Sequence, residues 1–84
     1  MTTQSEIRGW LERGKEQGAS HMLVVCDTFD WDDYPVYRAN ADPEKLRKEV
    51  ASYPVVNSMQ KVMEVYRLDQ DWDAQLKQHR AFNY

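Results

Sequence analysis

The stretch His21–Tyr37, HMLVVCDTFDWDDYPVY, decides the fold. Met22–Phe29 is rich in β-formers, and Leu23, Val24, Val25 and Cys26 place apolar side chains on both alternating faces. A strand of that kind is central in its sheet or covered on both sides. Tyr34–Ala39 reads as a second strand. Pro35 cannot donate a ladder hydrogen bond, so it belongs at a strand start or on a sheet edge. Between the two runs lies an acidic connection, Asp30–Asp33, flanked by Asp27 and carrying Phe29, Trp31 and Tyr34. Large aromatics normally leave loops for the interior, so this connection is the first place to look for a site.

Upstream, Thr3-Gln4-Ser5-Glu6 fits a capping box, with Thr3 as the cap and Glu6 three residues on. Ile7, Trp10 and Leu11 follow at helical spacing, among the charged residues Arg8, Glu12, Arg13, Lys15 and Glu16. Gly18 is the natural stop, which predicts a helix over residues 4–17. Gly14 weakens that helix by about 1 kcal/mol relative to alanine. Downstream, Asp42-Pro43-Glu44 is a helix start, with Asp at the cap and Pro at the first position. Leu46, Val50 and Tyr53 form the stripe to be buried, and Pro54 is expected to end the helix at Tyr53, leaving residues 54–58 as a loop.

Gln60–Leu68 is expected to be a third strand, because Val62, Val65 and Tyr66 favour extension. Its alternation is imperfect, since Met59, Val62, Met63 and Tyr66 also match a helical period. Asp69 or Asp71 then caps a last helix with Trp72, Leu76 and His79 on one stripe. The closing Phe82 and Tyr84 should pack back onto the body. The order αββαβα, with no linker or repeat, predicts one α+β domain over residues 1–84. It is built on a small, mostly antiparallel three-stranded sheet with packed helices.

At 84 residues the chain buries only about 60–65% of its unfolded surface, so a homodimer is a reasonable expectation. Aromatics make up 12% of the chain, with three Trp and five Tyr, more than so small a core can fully bury. Some belong at the surface or in an interface. The net charge of −3 argues against general nucleic-acid binding, which needs a basic face. Cys26 is the only cysteine, which excludes an internal disulfide. The N-terminus lacks the pattern of a signal peptide, and no stretch reaches the roughly 20 apolar residues needed to cross a bilayer. A cytoplasmic, non-membrane protein is expected.

Asp27, Asp30, Asp32 and Asp33 are hard oxygen ligands, but their spacing is not that of a calcium loop and the turn glycine is missing. They read as turn formers and solvated charges, with no metal and no cofactor. Asp27 or Asp30 with His79 could in principle do acid–base work. No nucleophile elbow, phosphate loop or dinucleotide fingerprint accompanies them, so no catalytic residue is assigned. As a binding surface, Phe29, Trp31 and Tyr34 among these carboxylates suit a basic protein partner or a cationic group. The plainer reading has Phe29 and Tyr34 covering an open edge of the core. His79, Arg80 and Tyr84 form a second candidate. Arg80 is expected either to pair with an aspartate of the connection or to join Arg38 or Arg67 in an anion clamp.

The segments GASHMLVVCDTFDWDDYPVY, MQKVMEVYRL and AQLKQHRAFNY resemble a group of short, uncharacterised proteins encoded by tailed bacteriophages and prophages. The resemblance covers residues 5–84. It implies a phage accessory gene expressed in a bacterial cytoplasm, and it carries over no mechanism and no site residues. Together these readings point first to a binding protein that inhibits a host defence protein or sequesters a nucleotide signal. A homodimeric adaptor in replication or lysogeny is the second reading, and a small metal-dependent enzyme the third.

Overall fold

The central strand is the apolar one. In the computed structural model, which describes residues 3–56, 59–78 and 80–84, β1 (His21–Asp27) lies between β2 (Asp32–Arg38) and β3 (Gln60–Arg67). Both pairings are antiparallel. Three helices complete the α+β order: α1 (Gln4–Glu16), α2 (Pro43–Val56) and α3 (Trp72–Leu76). Every residue from His21 to Cys26 is buried, as expected of a strand covered on both faces.

The two faces carry two cores. Met22 and Val24 pack with Ile7 and Leu11 of α1, Leu76 of α3, and Tyr66 and Ala81. Leu23 and Val25 pack on the other face with Leu46 of α2 and with Val62 and Val65. Val50, Tyr53, Phe82 and Tyr84 close over this second cluster. The sheet is therefore the middle of three layers.

β3 contains a bulge. Val24 is opposite Glu64 and Val25 is opposite Val62, so Met63 is an extra residue. Val62 and Val65 thus share a face although they are three apart in sequence. This bulge is the physical source of the helix-like spacing in that segment.

The α1 termini follow the expected chemistry. Thr3 Oγ1 accepts from the Glu6 amide at 3.2 Å. At the other end Ala19 N donates to Gly14 O (2.9 Å) and Gly18 N to Lys15 O (3.1 Å). That is a Schellman closure, with Gly18 at φ +75°. Gly14 has a role the sequence did not suggest. A Cβ there would stand 2.8 Å from Cε1 of Tyr37 and 3.0 Å from Cδ2 of Leu68, so the bare backbone lets α1 approach the sheet.

α2 corrects one expectation. The helix does not stop at Tyr53 but runs through Pro54 to Val56. Pro54 offers no N–H to the Val50 carbonyl. The packing of Val50 and Tyr53 on the second core outweighs the pre-proline preference for extended backbone.

Asp71 caps α3, accepting from the Asp73 and Ala74 amides at 2.9 and 3.3 Å. Gln75 is buried and uses its amide like a peptide group. It accepts from Arg67 N at 2.7 Å and donates to Arg67 O at 2.8 Å. The C-terminal segment packs back as expected: Val65 N donates to Ala81 O (2.6 Å) and Asn83 N to Val65 O (3.0 Å). This parallel bridge covers the outer edge of β3. On the opposite edge, β2 carries Pro35 in mid-strand, opposite Val24, where it blunts further pairing.

Candidate functional site

The β1–β2 connection is a four-residue loop, Thr28–Trp31, closed by the Asp27–Asp32 pair. Asp27 builds it twice over. Its Oδ1 accepts from the Phe29 amide at 2.9 Å, and its carbonyl accepts from the Trp31 amide at 2.7 Å. This is the turn chemistry that makes aspartate common in such loops. Thr28 ties the loop to the third strand: its amide and hydroxyl both donate to Met59 O, at 2.6 and 3.0 Å.

Trp31 closes the loop with φ at +59°. That left-handed conformation suits glycine or asparagine and is an outlier for a bulky side chain. Phe29 is 72% exposed and Trp31 69% exposed. Val55 and Met59 are the other exposed large apolar residues among those described. Met59 lies at the Phe29–Trp31 end, because Thr28 bonds its carbonyl and Gln60 begins β3 opposite Asp27. Lys61 Nζ stands 5.8 Å from the centre of the Trp31 ring.

The expected site residues divide between this tip and the body. Phe29, Asp30, Trp31 and Asp32 are exposed at the tip. Tyr34 instead packs on the second core, and its hydroxyl accepts from Gln60 Nε2 at 2.8 Å. Asp33 lies opposite Cys26. Burial, and then the hydrogen bond to the Asp33 carboxylate, push the Cys26 thiol up and keep it protonated. The plainer reading therefore describes Tyr34 but not Phe29.

The second candidate group does not join the tip. Tyr84 lies at the far end of the sheet, where its carbonyl accepts from Arg67 Nη1 at 3.3 Å. Arg67 is opposite His21, about 20 Å along β1 from Asp27 at ~3.3 Å per residue. Arg47 covers the Tyr84 ring at 5.0 Å and Arg80 covers the Phe82 ring at 5.8 Å. His79 lies outside the described residues.

Arg38 and Arg67, both opposite His21, already have carboxylate partners. Arg38 Nε donates to both carboxylate oxygens of Glu49 at 3.1 Å, and its Nη2 also meets Glu49. Arg67 forms a two-point pair with Asp69, at 3.0 and 2.9 Å. Guanidinium forks engaged in this way are neutralised and geometrically occupied. No group of three or more His, Cys, Asp or Glu side chains able to hold a metal occurs among the described residues.

Sequence reasoning missed Met59 and Lys61 as tip residues, since only the pairing of β3 with β1 brings them there. It also missed His21, which is 4% exposed. Ser20 Oγ donates its one proton to Arg38 O (3.1 Å) and accepts from the Ala41 amide (3.1 Å). It also lies 3.0 Å from His21 Nδ1. His21 Nε2 is buried and has no hydrogen-bond partner. Burial, and then the Arg67 guanidinium, hold this imidazole below its ordinary pKa, and Asp69 pulls weakly the other way.

The chain matches no protein-family model, no curated protein and no solved structure. No helix among the described residues is long and apolar enough to cross a membrane.

Proposed function

We propose that this chain is a small, non-enzymatic binding protein that docks onto a protein partner through the tip formed by Phe29, Trp31, Met59 and the flanking carboxylates. The observation that carries the reading is Trp31, held exposed in a left-handed conformation that favours glycine. A tryptophan there costs conformational energy and gains little burial, so its benefit lies mainly outside the free fold. Exposed aromatics on a rigid support are the usual anchors of protein interfaces.

A protein target fits better than a sequestered nucleotide, because Arg38 and Arg67 are already paired with Glu49 and Asp69 and the tip bears carboxylates. In the phage setting suggested by the sequence resemblance, the partner is a bacterial host protein, and the favoured role is inhibition of a defence factor.

The test is isothermal titration of candidate host defence proteins and of cyclic nucleotides with the wild type, Phe29→Ala and Trp31→Ala. A protein should bind, and Trp31→Ala should weaken it by roughly thirtyfold or more, the scale of an interface hot spot. If both variants keep every detected interaction, the tip is not the docking surface. A homodimeric adaptor is the second reading, favoured by the apolar side chains of Phe29, Trp31 and Met59 exposed around the tip. It requires a mass that rises with concentration in light scattering.

A further inference from the structure

We infer that the tip recognises a cationic side chain of its protein partner, arginine in the first place, on the face of Trp31, and that Lys61 keeps this place in the free protein. The inference rests on the reading of the tip as a docking surface and names the chemistry that the surface selects.

Lys61 stands in β3 opposite Cys26, and Cys26 is opposite Asp33 in β2. Residues directly opposite one another share a face of the sheet. Lys61 therefore reaches the hairpin tip from the next strand, and its ammonium stands over the ring of Trp31 at 5.8 Å. The ring face already attracts a cation in the resting molecule. Lys61 and the indole are both exposed, and water weakens a cation–π contact in that setting. The contact is thus strong enough to bias the lysine and weak enough to be displaced.

The surroundings favour an incoming cation. Asp30 and Asp32 flank Trp31 in the chain, and both are exposed. Once Lys61 swings away, these two carboxylates face the partner without a nearby counter-charge from that side chain. They attract a basic rim and repel an acidic one. A guanidinium suits the place better than an ammonium, since it stacks flat on an aromatic face and is less strongly hydrated. Phe29 and Met59 are both exposed, the first on the same loop and the second on the chain bonded to it through Thr28.

The experiment follows the Trp31 indole N–H by NMR during titration with acetylated tetra-arginine amide. Tetra-glutamate serves as the control peptide, and the indole signal is assigned with Trp31→Phe. Tetra-arginine should shift this resonance saturably and leave Trp10 and Trp72 in place. Lys61→Ala removes the resident competitor and should tighten binding by about two- to fivefold, the factor an exposed cation–π contact supplies. The Asp30→Asn/Asp32→Asn double variant should weaken binding and flatten its salt dependence.

The inference is overturned if Lys61→Ala leaves affinity unchanged or weakens it. It is equally overturned if tetra-arginine moves Trp31 no further than tetra-glutamate does. Failure here, with Trp31→Ala still abolishing capture of a protein partner, would remove the cation and leave the docking surface standing. Lys61 is exposed at the start of β3, and preserved hydrogen-exchange protection of the Thr28 amide on Met59 would verify that each variant keeps the loop.

Discussion

The same substitution at two glycines of α1 should change stability in opposite directions. Gly9 and Gly14 are both interior to the helix, and alanine improves helix propensity at either by up to about 1 kcal/mol. At Gly9 a new Cβ would meet nothing within 4 Å, so the gain is kept. At Gly14 the Cβ would lie 2.8 and 2.9 Å from two carbons of the Tyr37 ring and 3.0 Å from Leu68. Carbon atoms pack at about 3.5–4.0 Å, so ring or helix must move by more than half an ångström. The ring is not free to move, because its hydroxyl donates to Trp10 O at 2.7 Å.

Overpacking of a fitted contact costs about 1–3 kcal/mol, and loss of the tyrosine hydrogen bond adds roughly 1 kcal/mol. Set against the propensity gain, Gly14→Ala should destabilise by about 1–3 kcal/mol. In a domain of this size that lowers Tm by roughly 5–25 °C, whereas Gly9→Ala should raise it by a few degrees. Thermal melts by circular dichroism read both. A double-mutant cycle with Tyr37→Val isolates the contact: without the ring, Gly14→Ala should approach the Gly9→Ala result. Equal gains at the two positions in the wild-type background would refute the close-approach account of Gly14.

Trp31→Gly should relieve the left-handed strain and leave stability level or raised by up to about 1 kcal/mol, while abolishing partner binding; urea melts beside titration calorimetry check both. Gln75→Ala should cost about 1–3 kcal/mol, since it strips Arg67 N–H and C=O of their buried partners, and a urea midpoint reads it. His21 is buried neutral with its pKa below the 6.5 of a free imidazole. Between those two values the unfolded chain binds more protons, so stability is full above about pH 6.5 and falls as the pH drops below it. Urea melts from pH 7.5 downward should show this slope in the wild type and a shallower one in His21→Gln; equal slopes would count against His21 as the source.

The parts of the fold legible in sequence are those where one residue type has one physical use. The doubly apolar run Leu23–Cys26 could only be a covered strand, and it is the central one. Asp42-Pro43 and Gly18 mark helix ends through capping and positive φ. What escaped the sequence depends on tertiary pairing. The bulge at Met63 turned a two-residue period into a three-residue one and made β3 resemble a helix. Pro54 kept its helical place because the turn before it is packed down. Gly14 reads locally only as a weak point and Gln75 carries no local signal, because their roles depend on Tyr37 and the Arg67 backbone. The tip was legible as an aromatic cluster, but Met59 and Lys61 come from another strand and carry no local signal.

The departures from local rules sort by whether the fold itself explains them. Gly14 is answered by the ring of Tyr37, Gln75 by the backbone of Arg67, and the bulge by the shared face of Val62 and Val65. Each irregularity in the body makes a contact that offsets its cost. At the tip the balance runs the other way. Trp31 holds a left-handed backbone that costs a bulky residue about 1–2 kcal/mol, and an exposed lysine stands over its ring. Phe29 and Trp31 forgo roughly 1.5–3 kcal/mol each that full burial of a large apolar side chain would contribute. A chain of 84 residues has a net stability of only about 5–15 kcal/mol, so forgone burial on that scale is a large fraction of the whole. On the docking reading proposed above, that burial is recovered against a partner, which makes the tip, and not either buried core, the place to test for function.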